Sequence, residues 1–359
     1  MLQACFLFHF TPREQLHLRL QSFCAVAQYK YRRRLLRLRA CHEPDRPGSS
    51  LEGRVVAFTT PQQYAGRFAA ALRKEGGSPL WCPTIITETG ADTRWELESK
   101  LFGKGDRSED VCCSQGLDSY GGIAFTSRAG IYAFAEAIAG QSSILREDGE
   151  PFLVAALGRD AELLEELDLL RANSRVRYFV PSVASPQALV DELGEGKGQR
   201  LLCPVPLVID LEEPPVVPNF LRGLEKAGWV PVRLNAYITR WAGKECAQPL
   251  LQRAQRQSTW EETSTKLQER SDGARDGVDA LVFTSTAEVE GLIKSLDALV
   301  GSGIEYLKRS KREFVVAVHG PVTAEGGARL GIEVDIVGDK FQSFGGVVDS
   351  LARHFAVRT

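Results

Sequence analysis

One pattern with chemical potential recurs along this chain. A short apolar run ends, Ser or Thr follows, and a helical pattern begins. The instances are Thr59/Thr60, Thr126/Ser127, Ser185, Thr284/Ser285, Thr323 and Ser343. Taken singly, each hydroxyl is an N-cap, placed to accept a free backbone N–H of the first turn. Taken together, they imply more. Helix N-termini present unpaired N–H groups and a partial positive charge to an anion. In an open parallel sheet, ligands bind outside the carboxyl ends of the strands. Two such rims facing each other would form a cleft of hydroxyls and amides. That cleft could hold a ligand with many carboxylates and need few Lys or Arg. At about 0.3–1 kcal/mol for each terminus, several termini together reach useful affinity.

The usual cofactor signatures are missing from the 359 residues. There is no GxxxxGK[ST] and no strand followed by GxGxxG. GxSxG, HExxH and an Asp-rich metal loop are also missing. Gly194-Glu195-Gly196-Lys197-Gly198 follows a helix and reads as a turn. Beyond the leader, the histidines are His319 and His354, which fall in different elements. His319 stands before Gly320 at a strand end, as a satisfied core histidine or a cleft residue. Neither a metal nor a cofactor is expected. The eight Cys contain no CxxC pair, which suggests reduced thiols.

The elements that must position these hydroxyls come as two copies of one unit. Ile123–Ser127 answers Leu281–Ser285 at an offset of 158. Phe152–Gly158 answers Phe314–Gly320 at an offset of 162. Ser185 with Val190–Leu193 answers Ser343 with Val348–Leu351, again at 158. Apolar runs alternating with amphipathic helices imply α/β architecture, with parallel sheets covered on both faces. The expected fold is therefore two doubly wound, flavodoxin-like parallel-sheet domains. Val55–Phe58 opens the first sheet. A helix capped by Thr60, with Pro61 at its first position, follows. Leu80–Ile86 reads as one strand. Leu201–Cys203 is another, followed by a Pro-rich loop over Pro204–Pro218 and a strand over Trp229–Tyr237. Phe102–Ser119 reads as a surface loop, and Lys244–Gly277 as a solvated insertion with some helix.

Composition excludes several classes. Hydrophobic residues are 43% and charged residues 25%, ordinary for a globular protein. No apolar run approaches the roughly 20 residues needed to span a bilayer. The net charge of −2 is uneven: residues 1–42 carry eight basic side chains and one acid, so the rest carries −9. An acidic body has no long-range field to draw nucleic acid. The leader, residues 1–50, reads as an organelle (plastid) transit segment, with an RNA- or membrane-binding arm and a mis-assigned start as alternatives. Without transit, the expected location is the cytoplasm.

Phe125-Thr126-Ser127, Phe283-Thr284-Ser285, the turn Gly320-Pro321-Val322-Thr323-Ala324 and Ala236-Tyr237-Ile238-Thr239 resemble the uroporphyrinogen-III synthase family. The likeness runs from Gly53 to about Phe355. It implies two flavodoxin-like domains joined by a two-stranded β-ladder. One domain would comprise residues 51–81 plus 240–359 and the other 87–228, with the ladder at 82–86 and 229–239. It also implies a monomeric, cofactor-free lyase that closes hydroxymethylbilane, a linear tetrapyrrole, with its last ring inverted. By resemblance Tyr237 assists the departing hydroxyl; its alternative is an amphipathic residue at a domain interface. By resemblance Ser127, Ser285 and Thr323 are substrate-contacting hydroxyls; with the other strand-end positions Thr59, Thr60, Thr126, Arg128, Ser185, Thr284, Gly320 and Ser343 they make up the expected substrate contacts. Three departures stand out. Thr59-Thr60 replaces the family's Thr-Arg, Gly158-Arg159-Asp160-Ala161 lacks the turn's hydroxyl, and Pro204–Leu207 lacks Gly and a basic residue. They leave open a second expectation: a catalytically weak paralogue acting as a polycarboxylate-binding or regulatory module.

Overall fold

The structure is a computed structural model that describes residues 51–103, 116–141, 144–158, 160–166, 170, 173–254, 277–310, 314–340 and 343–357. The leader, most of the expected loop at 102–119, Arg159 and positions 255–276 of the expected insertion lie outside the described residues.

Two sheets form the body. The five-stranded sheet has the order β11-β10-β9-β1-β2. It uses β1 (Val55–Phe58), β2 (Ser78–Trp81), β9 (Ala280–Phe283), β10 (Val315–Val318) and β11 (Ile336–Val337). All its pairings are parallel. The six-stranded sheet has the order β3-β8-β7-β4-β5-β6. It uses β3 (Ile85–Glu88), β4 (Gly122–Phe125), β5 (Phe152–Ala156), β6 (Val176–Phe179), β7 (Arg200–Ile209) and β8 (Val230–Trp241). Its pairings are parallel except for β3, which runs antiparallel to the end of β8, Ile85 opposite Trp241.

Both faces of each sheet are buried, which is why the strands are nearly continuous apolar runs. Val55 and Ala57 of β1 join one core with Leu281 and Phe283; Val56 and Phe58 join the opposite core with Ala280 and Val282. The period of two along the strand separates the sets. Helices cover these faces. Those on the five-stranded sheet are α1 (Gln62–Lys74), α7 (Thr286–Val300), α8 (Gly303–Ser310), α9 (Pro321–Arg329) and α10 (Gly345–Ala356). Those on the six-stranded sheet are α2 (Ala91–Phe102), α3 (Arg128–Ile138), α4 (Asp160–Glu166), α5 (Pro186–Leu193) and α6 (Val216–Lys226).

Four local expectations need correction. Leu80–Ile86 is not one strand: β2 ends at Trp81, and β3 begins at Ile85. Pro83 between them offers no N–H to a ladder, and here the chain passes from one sheet to the other. The Pro-rich segment after Cys203 is strand through Ile209, because Pro204 and Pro206 pair in parallel with β8. Pro218 lies inside the first turn of α6, where a missing N–H costs nothing. Thr60 caps no helix: the N-cap of α1 is Pro61, without a side-chain hydrogen bond. Of the insertion, Lys244–Ala247 is a 3₁₀ turn and 248–254 are helical, with Ala247 and Leu250 packed in the core. Cys82, Cys203 and Cys246 are free thiols. No described helix is long and apolar enough to cross a membrane.

Candidate active site

The carboxyl ends of both sheets open onto one cleft of about 420 Å³. Thr126 and Ser127 follow β4, Leu157 follows β5, Thr284 and Ser285 follow β9, and His319 follows β10; all line it. Tyr64 and Arg67 of α1 and Ser343 and Phe344 before α10 add to its five-stranded side. Asp160 of α4 and Tyr237 of β8 add to the six-stranded side. Of the expected site residues, Thr126, Ser127, Tyr237, Thr284, Ser285 and Ser343 thus come together.

A backbone irregularity places Tyr237. Asn235 pairs with Val205, but Pro206 pairs with Tyr237, so Ala236 is an extra residue. This β-bulge shifts the alternation of side chains. As a result Leu234, Ala236 and Tyr237 all belong to the same core cluster. The phenol is buried at the cleft wall, 7% exposed. Ser127 Oγ donates to its oxygen at 2.8 Å and accepts the N–H of Gly130 at 3.1 Å, capping α3. Burial pushes the Tyr237 pKa up to about 12; the Ser127 hydrogen bond opposes the rise and Asp160 adds to it. The phenol is therefore protonated at neutral pH. Its oxygen already accepts a hydrogen bond, so its own proton is available to a ligand.

On the five-stranded side, an internal carboxylate takes the hydroxyls. Glu288 of α7 is 1% exposed. Its Oε2 accepts from Thr59 Oγ1 at 2.8 Å and from the Thr284 N–H at 2.8 Å. Its Oε1 accepts from Thr284 Oγ1 at 2.5 Å and from Ser285 Oγ at 3.2 Å. Burial raises its pKa, against the pull of these donors. Ser285 caps α7 by accepting the Glu288 N–H at 3.4 Å. The repeat offset aligns Glu288 with Gly130, so the two rims differ here by a whole carboxylate.

The other expected contacts lie off the cleft. Thr59 and Thr60 are fully buried; Thr59 serves Glu288, and the Thr60 hydroxyl has no partner among the described residues. Arg128 Nε donates to Asp160 Oδ1 at 3.1 Å, a half-buried ion pair at the cleft rim. Burial raises the Asp160 pKa, and Arg128 only partly offsets it. Ser185 caps α5 through the Ala188 N–H at 3.1 Å. Gly320 is the extended N-cap of α9, and Thr323 is buried with its hydroxyl on the Thr284 carbonyl at 3.2 Å. Glu288 had a sequence signal, since Ser285-Thr286-Ala287-Glu288 spells a capping box. Tyr64, Arg67 and Phe344 had none.

Among the described residues no cluster of three or more His, Cys, Asp or Glu could hold a metal ion. The cleft can do hydrogen-bond and proton chemistry. Its described lining offers a desolvated neutral phenol, several hydroxyls and an exposed cation, Arg67.

A family model described as Uroporphyrinogen-III synthase HemD matches residues 66–347. Among solved structures, a mutant uroporphyrinogen III synthase from the extremely thermophilic bacterium Thermus thermophilus is 17% identical, with 85% of this chain and 100% of that chain covered, at a TM-score of 0.46. The wild-type synthase from Thermus thermophilus is 16% identical over 85% of this chain and 99% of that chain, TM-score 0.37. Uroporphyrinogen-III synthetase from Helicobacter pylori is 10% identical over 85% and 99%, TM-score 0.35. No curated protein sequence matches. With the family model spanning well over half of it, this chain belongs to the uroporphyrinogen-III synthase family of tetrapyrrole biosynthesis.

Proposed function

We propose that this protein is a cofactor-free lyase that cyclises hydroxymethylbilane with inversion of the last ring and loss of water. The observation that carries this reading is the desolvated Tyr237 phenol, held by Ser127 at the wall of a cleft between two sheet ends. In the proposed step, the Tyr237 proton passes to the terminal hydroxyl. The C–O bond breaks with its electron pair on oxygen, and water leaves. The lone pair of the attached pyrrole nitrogen forms C=N, giving an azafulvenium. The last ring attacks through its substituted carbon, forming a spiro centre that rearranges. The proton released as aromaticity returns restores the phenol. General-acid assistance of this kind contributes about 10²–10⁴-fold. The remaining task is conformational: the cleft holds the chain curled so that the inverted closure outruns the direct one.

The same reading takes residues 51–81 with 240–359, and 87–228, as two flavodoxin-like domains bridged by a two-stranded ladder. The antiparallel pairing of Ile85–Glu88 with Ile238–Trp241, beside the passage at Cys82–Thr84, supports it. The acid-poor basic leader supports a plastid address, and the reading treats the protein as a monomer.

A second reading, a polycarboxylate-binding module without catalysis, is favoured by two observations. Glu288 engages Thr59, Thr284 and Ser285, and Asp160 engages Arg128, so donors meant for a ligand are already used. One assay separates the two. The full chain is given hydroxymethylbilane and the product isomers are measured. Product enriched in the type III isomer supports the lyase; the isomer ratio of buffer alone removes it.

A further inference from the structure

The charged side chains of the cleft fall into two groups. Glu288 and Asp160 are acids with donors already in place, and Arg128 is spent on Asp160. Arg67 is different. It lines the cleft from α1 and is exposed. Among the described residues it makes no hydrogen bond or ion pair. Its guanidinium lies 5.6 Å from the centroid of the Phe344 ring. That ring is itself fixed by Phe68 at 5.0 Å and His319 at 5.7 Å. A guanidinium resting on an aromatic face keeps its planar fork of donors directed outward, with fewer rotamers to lose on binding.

Tyr64 stands one turn earlier on the same helix face and lines the same cleft. Its ring meets Phe344 edge-on at 6.0 Å. Burial holds its phenol far above the ordinary tyrosine range, so it remains a neutral donor. Arg67 and Tyr64 thus present a cation and a hydroxyl side by side, on the wall opposite Tyr237.

We propose that Arg67, with Tyr64 beside it, is the carboxylate anchor of this cleft and takes an acidic side chain of the bound tetrapyrrole. It stands in the second turn of α1, the helix that follows β1. The inference rests on the reading of the ligand as a polycarboxylate. It does not need catalysis. The pairing is geometric: a planar guanidinium donates two parallel hydrogen bonds to a carboxylate, which a lysine cannot reproduce.

The test uses the full chain and two stable probes, uroporphyrin III with eight carboxylates and coproporphyrin III with four, read by fluorescence quenching. Arg67→Gln is expected to weaken uroporphyrin binding about tenfold, the scale of losing a charge-assisted hydrogen bond. Arg67→Lys should fall between, and Tyr64→Phe should lose less than Arg67→Gln. Because Arg67 is exposed, thermal melting of Arg67→Gln should match the wild type, which separates binding from folding. In turnover, KM should rise with kcat unchanged. Uroporphyrin affinity of Arg67→Gln within about twofold of wild type overturns the anchor, and so does a wild type that binds neither porphyrin. A wild type that binds uroporphyrin through Arg67 yet leaves the isomer ratio unchanged removes the lyase and keeps the anchor. A wild type that forms type III product with no KM change in Arg67→Gln does the reverse.

Discussion

Ser127 and Tyr237 meet through a 2.8 Å hydrogen bond across 110 residues of sequence, with the serine donating and the phenol oxygen accepting. The same serine oxygen caps α3, so the helix that frames the cleft also orients its acid.

Tyr237→Phe keeps the ring and removes the proton. Turnover should drop by about 10²–10⁴ with KM little changed. Equal losses in binding and turnover would make Tyr237 a packing residue. Ser127→Ala removes a bond that favours the phenolate, so the phenol becomes a weaker acid and kcat falls by less. With the pKa near 12, no titration of Tyr237 should appear in the kcat–pH profile below about pH 10.

Glu288 is a carboxyl whose folded pKa lies above its unfolded value. Its contribution to stability is fully present below the unfolded pKa and is lost as pH rises through the folded pKa. Glu288→Gln keeps the shape and cannot ionise. The wild type minus Glu288→Gln difference in unfolding free energy should therefore fall as pH rises above the ordinary glutamate pKa of about 4.3. A difference independent of pH would contradict this. Glu288→Ala should cost about 1–3 kcal/mol, read by urea denaturation, because the Thr284 N–H loses its carboxylate while the Thr59 hydroxyl keeps only the Val282 carbonyl at 3.1 Å.

Asp160 holds Arg128 at the rim, with side chains 27% and 15% exposed. Asp160→Asn removes a negative charge and loosens the guanidinium. Uroporphyrin III should bind several-fold tighter, on the order of 1 kcal/mol, while stability falls by about 1–3 kcal/mol because Arg128 loses its partner. Weaker binding would mean that Asp160 contacts the ligand favourably.

Gly291 lies inside α7, where Ala would ordinarily gain about 1 kcal/mol. Here a Cβ would stand 2.6 Å from the Thr84 carbonyl oxygen. Thr84 is itself fixed, donating to the Glu288 carbonyl at 2.9 Å and accepting the Ala242 N–H at 3.0 Å. Gly291→Ala should therefore destabilise by about 1–3 kcal/mol, seen as a lower melting temperature. A rise would show that the passage between the sheets yields easily.

Much of the architecture is written locally. Short continuous apolar runs, helical faces and the repeat offset of 158 define which segments become strands and helices. Ser127, Ser185 and Ser285 cap helices because a serine before a first turn needs only neighbours within three residues. The absence of cofactor signatures is likewise a property of the string of residues. Other features depend on residues far apart in sequence. The hydroxyls of Thr59 and Thr284 face an internal carboxylate, because β1 and β9 pair across more than two hundred residues and bring Glu288 between them. Tyr237 turns into the cleft through an extra residue at Ala236, visible only once β7 and β8 are in register. Arg67 looks like any helical surface arginine until Phe344, far along the chain, arrives beneath it. Local propensity acts over a few residues, whereas commitment of a polar group is decided by whatever the fold packs against it.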